Sequence, residues 1–271
     1  MKQGRILFTD LDGTLLSDDK SISPKNRRAV DQVLAEGNFI AISTGRPLES
    51  GKLVAEELGL TKPGCYLIAF NGSVLYDCFA RKILHEETIP VSLVQRLFVQ
   101  AKKSGIYIQT YDRKDILAEE YTKELAYYAE RTRMSYRLLQ NGASELYEKP
   151  YKALLISLSS RQRLEEFKRA NAFWTDGKMN AFFSCPEYLE YCPCGAGKGS
   201  AVRRLLQILK IPAECAAAAG DEENDISMLQ AVKNGAAVKN AAASVKEAAA
   251  YVTERDNNHD AVAEVIEKFF Y

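Results

Sequence analysis

The chain has 271 residues, of which 46% are hydrophobic and 27% are charged, so it can form one large globular domain or two modest ones. Its 36 basic and 36 acidic side chains give a formal net charge of zero, which argues against a dedicated binder of nucleic acid or of an anionic membrane. No apolar run reaches the roughly 18 residues of a membrane helix, and no signal-peptide pattern begins the chain, so we expect a cytoplasmic protein.

The first eighty residues alternate between the patterns of short buried strands and amphipathic helices. The predicted strands are Arg5–Thr9, Asn38–Ile42 and Tyr66–Phe70. The helices between them begin at Ser23-Pro24 and at Pro47, where a polar cap or a proline favours a helix start. This alternation predicts a parallel sheet covered by helices on both faces.

From about Ile83 the pattern changes to longer, alternating strands with amphipathic helices between them. The predicted strands are Ile106–Tyr111, Asp115–Ala118 and Lys152–Leu158, and the predicted helices are Val91–Ser104, Tyr121–Arg131 and Arg161–Ala172. This middle third is typical of a separate α+β unit with an antiparallel sheet.

After Gly195 the first pattern returns, with a helix near Lys198, a strand at Cys215–Ala219 and a last helix at Ala261–Phe270. We therefore predict a core domain formed by residues 1–82 and 193–271, with residues 83–192 inserted as a second domain.

Polar side chains follow three of the predicted core strands at the point where each strand ends. Asp10 and Asp12 follow the first strand and Thr44 follows the second, while Asp221, Asn224 and Asp225 follow the strand Cys215–Ala219. Ligands of open parallel sheets bind beyond the carboxyl ends of the strands, so we expect these groups to meet there.

Carboxylate oxygens suit Mg²⁺, which commonly takes one or two carboxylates together with substrate phosphate. Lys198, at the start of a helix, and the hydroxyl of Thr44 are suited to holding phosphoryl oxygens and offsetting charge in a transition state. One carboxylate of the Asp10 and Asp12 pair is suited to attack and the other to proton transfer.

Four segments in this order resemble the signature motifs of the haloacid dehalogenase superfamily, and most closely the Cof-type phosphatases of subclass IIB. They are Asp10-Leu-Asp12-Gly-Thr14, Ser43-Thr44-Gly45-Arg46, Gly197-Lys198-Gly199 and Gly220-Asp221-Glu-Glu-Asn224-Asp225. The resemblance covers essentially the whole chain. It implies a Rossmann-like parallel-sheet core with an inserted α+β cap domain.

The resemblance also implies a role for each matching residue. Asp10 would be the nucleophile that forms an aspartyl-phosphate and would bind Mg²⁺. Asp12 would act as acid and base and ligate the metal through its backbone carbonyl. Asp221 would ligate the metal, and Asp225 would support the metal or Lys198. The predicted substrate-binding residues are Thr44, Gly45, Arg46, Asn71, Gly72, Lys198 and Asn224.

We therefore expect an Mg²⁺-dependent phosphatase acting on a small phosphorylated metabolite such as a sugar phosphate. Two alternatives stay open: a phosphomutase of the phosphomannomutase type, and a regulator that binds a phosphoryl ligand without hydrolysing it. The sequence predicts neither the substrate nor the oligomeric state.

The six cysteines are expected to be reduced, as is usual in cytosolic proteins. Cys192-Pro-Cys194 makes a poor zinc site, because the chain has no second such pair and only two histidines.

Overall fold

The computed structural model describes residues 4–271, which form two compact units. The first comprises the chain up to Gly45, together with Lys52–His85 and Gly197–Tyr271, and the second comprises Arg46–Gly51 and Glu86–Ala196. The first unit is thus built from both ends of the chain. The short segment 46–51 belongs to the second unit, which the sequence pattern does not indicate.

In the described residues, the first unit contains an eight-stranded sheet in the order β14-β13-β12-β1-β2-β3-β4-β5. The first five strands are β1 (Ile6–Thr9), β2 (Phe39–Ser43), β3 (Cys65–Ala69), β4 (Val74–Asp77) and β5 (Lys82–Glu86). The last three are β12 (Ala216–Gly220), β13 (Asn234–Ala237) and β14 (Tyr251–Val252). The pairs from β14 through β3 are parallel, and β4 is antiparallel to β3. The predicted parallel-sheet α/β core is therefore confirmed.

Six α-helices of the described residues belong wholly or partly to the first unit. They are α1 (Pro24–Ala35), α2 (Leu48–Glu57), α6 (Lys198–Leu209), α7 (Ile226–Leu229), α8 (Ala243–Ala248) and α9 (Ala261–Phe270), and the first four residues of α2 belong to the second unit. Helix α1 packs against α9, and the buried Asn26 side chain accepts a hydrogen bond of 2.8 Å from the Ala263 N–H at the start of α9.

Strand β1 lies between β12 and β2, and all four of its residues are buried. An apolar run without alternation is what a strand covered on both faces requires. Strand β12 is built from alanines and one glycine. Its small side chains contribute to the same buried cluster as Phe8 of β1 and Met228 of α7. Because the parallel strands β12, β1 and β2 are adjacent, their carboxyl ends lie side by side.

The second unit has a mainly antiparallel six-stranded sheet in its described residues, in the order β10-β11-β9-β6-β7-β8. The strands are β6 (Tyr107–Tyr111), β7 (Ile116–Ala118), β8 (Tyr136–Leu138), β9 (Ala153–Ile156), β10 (Met179–Cys185) and β11 (Tyr188–Pro193). Its helices are α3 (Val91–Lys103), α4 (Lys123–Thr132) and α5 (Arg161–Thr175). Strands β7 and β8 pair in parallel, which departs from the expected antiparallel pattern.

A membrane-crossing helix, which must be both long and apolar, is not found among residues 4–271.

Candidate active site

The carboxylate of Asp10 lies directly beyond the end of β1. Its backbone N–H donates to the Ala219 carbonyl at 3.0 Å, so the ladder between β1 and β12 continues to this residue. The residue is only 7% exposed, and its Oδ1 accepts a hydrogen bond of 2.6 Å from Nζ of Lys198. The end of the central strand thus places a buried carboxylate against a buried ammonium group.

Lys198 is the first residue of α6 and is buried. Its Nζ donates at 2.6 Å to Asp10 and at 2.5 Å to Oδ1 of Asp225. The residue before the helix, Gly197, is packed against Gly72, which has φ +102° and where any Cβ would collide with the Gly197 carbonyl. A glycine is therefore required at position 72 for this close approach, which fixes the backbone from which Lys198 extends.

Asp221 and Asp225 lie in the loop that follows β12. Oδ2 of Asp225 accepts the backbone N–H groups of Asp221 at 3.0 Å and of Glu222 at 3.1 Å. Oδ1 of Asp221 accepts a hydrogen bond of 2.6 Å from the hydroxyl of Thr14. Both aspartates are buried, so the loop carries two oriented carboxylates toward the same region as Asp10.

One oxygen from each of Asp10, Asp221 and Asp225 lies within 4.8 Å of the other two, and the ammonium group of Lys198 pairs with Asp10 and Asp225. Burial raises the pKa of Asp10 well above its usual range, and the neighbouring carboxylates raise it further against the opposing effect of Lys198. Burial and Asp225 raise the pKa of Asp221 to about 7. Although burial alone would lower the pKa of Lys198, its two carboxylate partners raise it.

Three crowded carboxylates with one cation between them have an excess of negative charge that a second cation would relieve. Their hard oxygen atoms are the ligands that divalent cations such as Mg²⁺ prefer. The residues present therefore fit a bound divalent metal ion.

Asp12 is half exposed and differs in this respect from Asp10. Its Oδ1 forms an ion pair of 2.9 Å with Nζ of Lys20. The following residue, Gly13, has φ +86°, and any Cβ there would collide with Oδ2 of Asp221. The Gly13 carbonyl accepts a hydrogen bond of 2.8 Å from the Asn240 side chain, so this turn is held from the C-terminal part of the chain.

A second group of polar residues surrounds Asn71, which lies in the turn between β3 and β4 and is 1% exposed. Its N–H donates to the Thr44 carbonyl at 3.0 Å, and its Oδ1 accepts Nδ2 of Asn224 at 2.9 Å. A Cβ at Gly45 would lie only 3.0 Å from the Asn71 amide atoms. The turn joins the antiparallel strands β3 and β4 and is thus a buried polar junction.

Two buried atoms in this region have no hydrogen-bond partner among the described residues: Oδ1 of Asn224 and Oγ of Ser43. Buried polar atoms are almost always paired in folded proteins, so unpaired ones point to a water or a ligand. Ser43 ends β2 and directly precedes the buried Thr44.

Of the predicted site residues, the structure joins Asp10, Lys198, Asp221 and Asp225 in one buried cluster. It joins Thr44, Gly45, Asn71 and Asn224 by backbone and side-chain contacts. Gly72 packs against Gly197, the residue before Lys198. Arg46 begins the short segment of the second unit and is partly exposed.

Sequence reasoning assigned no role to Thr14, Lys20 or Asn240. Thr14 stood inside a motif, but its partner Asp221 is 207 positions away, and no local pattern indicates that contact. The same holds for Asn240 and Gly13, which are 227 positions apart.

The sequence pattern of the family described as haloacid dehalogenase-like hydrolase matches residues 7–266. A phosphatase of Bacillus subtilis is 27% identical, with 94% of this chain and 96% of the relative covered. A 5-amino-6-(5-phospho-D-ribitylamino)uracil phosphatase of the same organism is also 27% identical, with 97% and 94% covered. A haloacid dehalogenase-like hydrolase of Bacteroides thetaiotaomicron has a similar structure, with a TM-score of 0.89, 28% identity and coverage of 98% and 99%.

Proposed function

The chain belongs to the haloacid dehalogenase-like hydrolase family and is a hydrolase of phosphate esters, and we propose that it removes phosphate from a small sugar or polyol phosphate through an aspartyl-phosphate on Asp10. The family resemblance predicted from the four motifs is thereby confirmed. The observation that carries the proposal is the buried Asp10 carboxylate held at 2.6 Å by Lys198 in a cluster with Asp221 and Asp225.

In the first step, we propose, an Asp10 oxygen attacks phosphorus while the bond from phosphorus to the alcohol oxygen breaks, and Asp12 gives its proton to the leaving alcohol. In the second step a water attacks the phosphorus of the aspartyl-phosphate. Asp12 takes a proton from that water, phosphate leaves, and the Asp10 carboxylate is regenerated. Lys198 offsets negative charge on the transferring group in both steps.

The proposed residues for Mg²⁺ are Asp10 and Asp221, with the Asp12 carbonyl as a further predicted ligand. When bound, the ion would supply positive charge to the phosphoryl oxygens and to the crowded carboxylates. Asp225 stays a predicted ligand as well. Because its oxygens already accept Lys198 and two backbone N–H groups, we propose that its main role is to hold Lys198.

We propose that the hydroxyl of Thr44 and the amide of Asn224 bind the phosphoryl group and that Gly45, Arg46, Asn71 and Gly72 shape the substrate site. The contact between Asn71 and Asn224 supports this grouping, as do the unpaired buried atoms nearby. A sugar or polyol phosphate is supported by the relative named for a phosphorylated ribityl compound. The cytoplasmic location stays a prediction.

The test is turnover of p-nitrophenyl phosphate with and without Mg²⁺, for the wild-type protein and for Asp10→Asn. Asp31→Asn on the exposed face of α1 is the matched control, because it removes the same charge from an exposed side chain that pairs with Lys62, outside the four motifs. We expect Mg²⁺-dependent turnover in the wild type and the control, and its loss in Asp10→Asn.

Wild-type protein that binds but does not turn over phosphate esters would instead indicate a regulator. Unchanged turnover in Asp10→Asn would contradict the assignment of the nucleophile. A panel of phosphorylated metabolites, assayed for released phosphate, identifies the substrate. Interconversion of isomers that requires a bisphosphate activator would indicate a phosphomutase.

A further inference from the structure

The loop that follows the first motif brings a lysine back to the carboxylate of Asp12. Nζ of Lys20 lies 2.9 Å from Oδ1 of Asp12, eight positions earlier in the chain. The side chains are 49% and 36% exposed. Exposed ion pairs contribute only about 0–1 kcal/mol to the free energy of unfolding. The stability of the fold therefore does not account for this contact.

The backbone of the loop fixes the position of Lys20. The N–H of Ser17 donates to the Ser21 carbonyl at 2.9 Å, and the N–H of Lys20 donates to the Ser17 carbonyl at 2.9 Å. Lys20 itself has φ +66°, the left-handed region that non-glycine residues seldom adopt. This tight turn reverses the chain so that the Lys20 side chain points back along the loop to Asp12.

The base of the loop is anchored from the C-terminal part of the chain. Nδ2 of Asn257 donates to the Leu16 carbonyl at 3.2 Å and to Oδ1 of Asp18 at 3.0 Å. Nδ2 of Asn258 donates to Oδ2 of Asp18 at 3.0 Å. With its base held in this way, the turn presents Lys20 at a defined place.

We propose that Lys20 is a positioning residue: by holding Oδ1 of Asp12 it fixes the orientation of the carboxyl group that protonates the leaving alcohol. This inference rests on the proposed phosphatase function and on Asp12 as its acid. A carboxyl group on a half-exposed turn can rotate about its side-chain bonds, and proton transfer requires it within hydrogen-bond reach of the departing oxygen. An anchored oxygen limits that rotation.

The test uses aryl phosphates whose leaving groups differ in their need for a proton. p-Nitrophenolate departs readily without protonation, whereas phenolate is a poorer leaving group. The value of kcat/KM reports the steps up to departure of the leaving group. We expect Lys20→Met to lower kcat/KM for phenyl phosphate by about tenfold, part of the effect of general acid catalysis, with a change of less than about threefold for p-nitrophenyl phosphate.

Lys20→Arg should restore most of the phenyl phosphate activity, because a guanidinium group can also hold Oδ1. The matched control is Lys25→Met, which removes the same charge from a similarly exposed pair, 2.8 Å from Glu267. The control should retain the wild-type ratio of the two substrates. Asp12→Asn should give the ratio of kcat/KM values for the two substrates that results when the general acid is lost.

Equal losses of kcat/KM on both substrates in Lys20→Met, or a rise in KM alone, would show that Lys20 binds substrate or supports the fold and would overturn the proposal. Wild-type values of kcat/KM for both substrates in Lys20→Met would also overturn the proposal, while leaving the phosphatase assignment intact. A wild-type protein without turnover of either ester would instead overturn the proposed function and, with it, the role of Lys20.

Discussion

The second unit contains a buried ion pair, and the stability lost when one partner is replaced can be worked out from the structure. Nζ of Lys152, just before β9, lies 2.9 Å from Oε2 of Glu190 in β11, and the two side chains are 1% and 3% exposed. The ammonium group also lies 5.3 Å from the centre of the Tyr111 ring. Burial alone would lower the pKa of Lys152, but Glu190 together with Tyr128 and Cys192 raises it, so the lysine is charged.

At an effective dielectric constant of about 20, unit charges 2.9 Å apart attract by about 6 kcal/mol. The loss of solvation offsets much of that attraction while both partners are present. Replacing Glu190 by glutamine keeps the shape but leaves the Lys152 charge buried without a carboxylate. We therefore expect Glu190→Gln to lower the free energy of unfolding of the second unit by about 3–5 kcal/mol.

The single tryptophan of the chain, Trp174, is buried in α5 of the same unit, so its fluorescence during urea denaturation reports on this unit. The double variant Lys152→Met with Glu190→Leu replaces both charges by apolar groups and should lie within about 1 kcal/mol of the wild type or above it. A loss below about 1 kcal/mol in Glu190→Gln, or a double variant as unstable as the single one, would refute the reasoning.

Three further predictions concern the candidate active site. Thr14→Val removes the hydrogen bond that orients Asp221, so activation should require about 10–100 times more Mg²⁺, as a titration of activity would show. Gly13→Ala puts a Cβ against Asp221 at a positive φ, so kcat/KM should fall about a hundredfold and the melting temperature should drop; wild-type kinetics would contradict this. In metal-free buffer the folded protein binds more protons than the unfolded chain between the ordinary aspartate pKa and the raised pKa of Asp221, about 7. The free energy of unfolding should therefore fall as the pH rises from about 4 to 7, by up to about 1.4 kcal/mol per pH unit for one proton, and a flat profile with EDTA would contradict the raised pKa.

Much of the core and its site follows from local sequence. The apolar run of β1 and the helix signals at Pro24 and Pro47 predict the α/β alternation, and polar residues at the strand ends predict where Asp10 and Asp221 meet. The first strand is predicted to begin at Arg5 and is observed to begin at Ile6, one residue later. Such patterns work because burial and capping act within a few residues.

Other features depend on partners that are distant in sequence. Strand β13 has the sequence Asn-Gly-Ala-Ala, which has little intrinsic preference for a strand, and it forms because β12 and β14 lie on either side of it. The contact of Asn71 with Asn224 spans 153 positions, so no local pattern could identify it. The position of Lys20 against Asp12 depends on a left-handed residue that the sequence does not mark.

The central claim is that Asp10 carries the phosphoryl group during turnover. Wild-type protein mixed with Mg²⁺ and the best substrate of the panel, quenched rapidly in acid and reduced with borohydride, should contain homoserine in place of Asp10, located by tandem mass spectrometry. Asp10→Asn should yield no such product. Substrate turnover without any modified aspartate, or modification at another residue, would contradict the account.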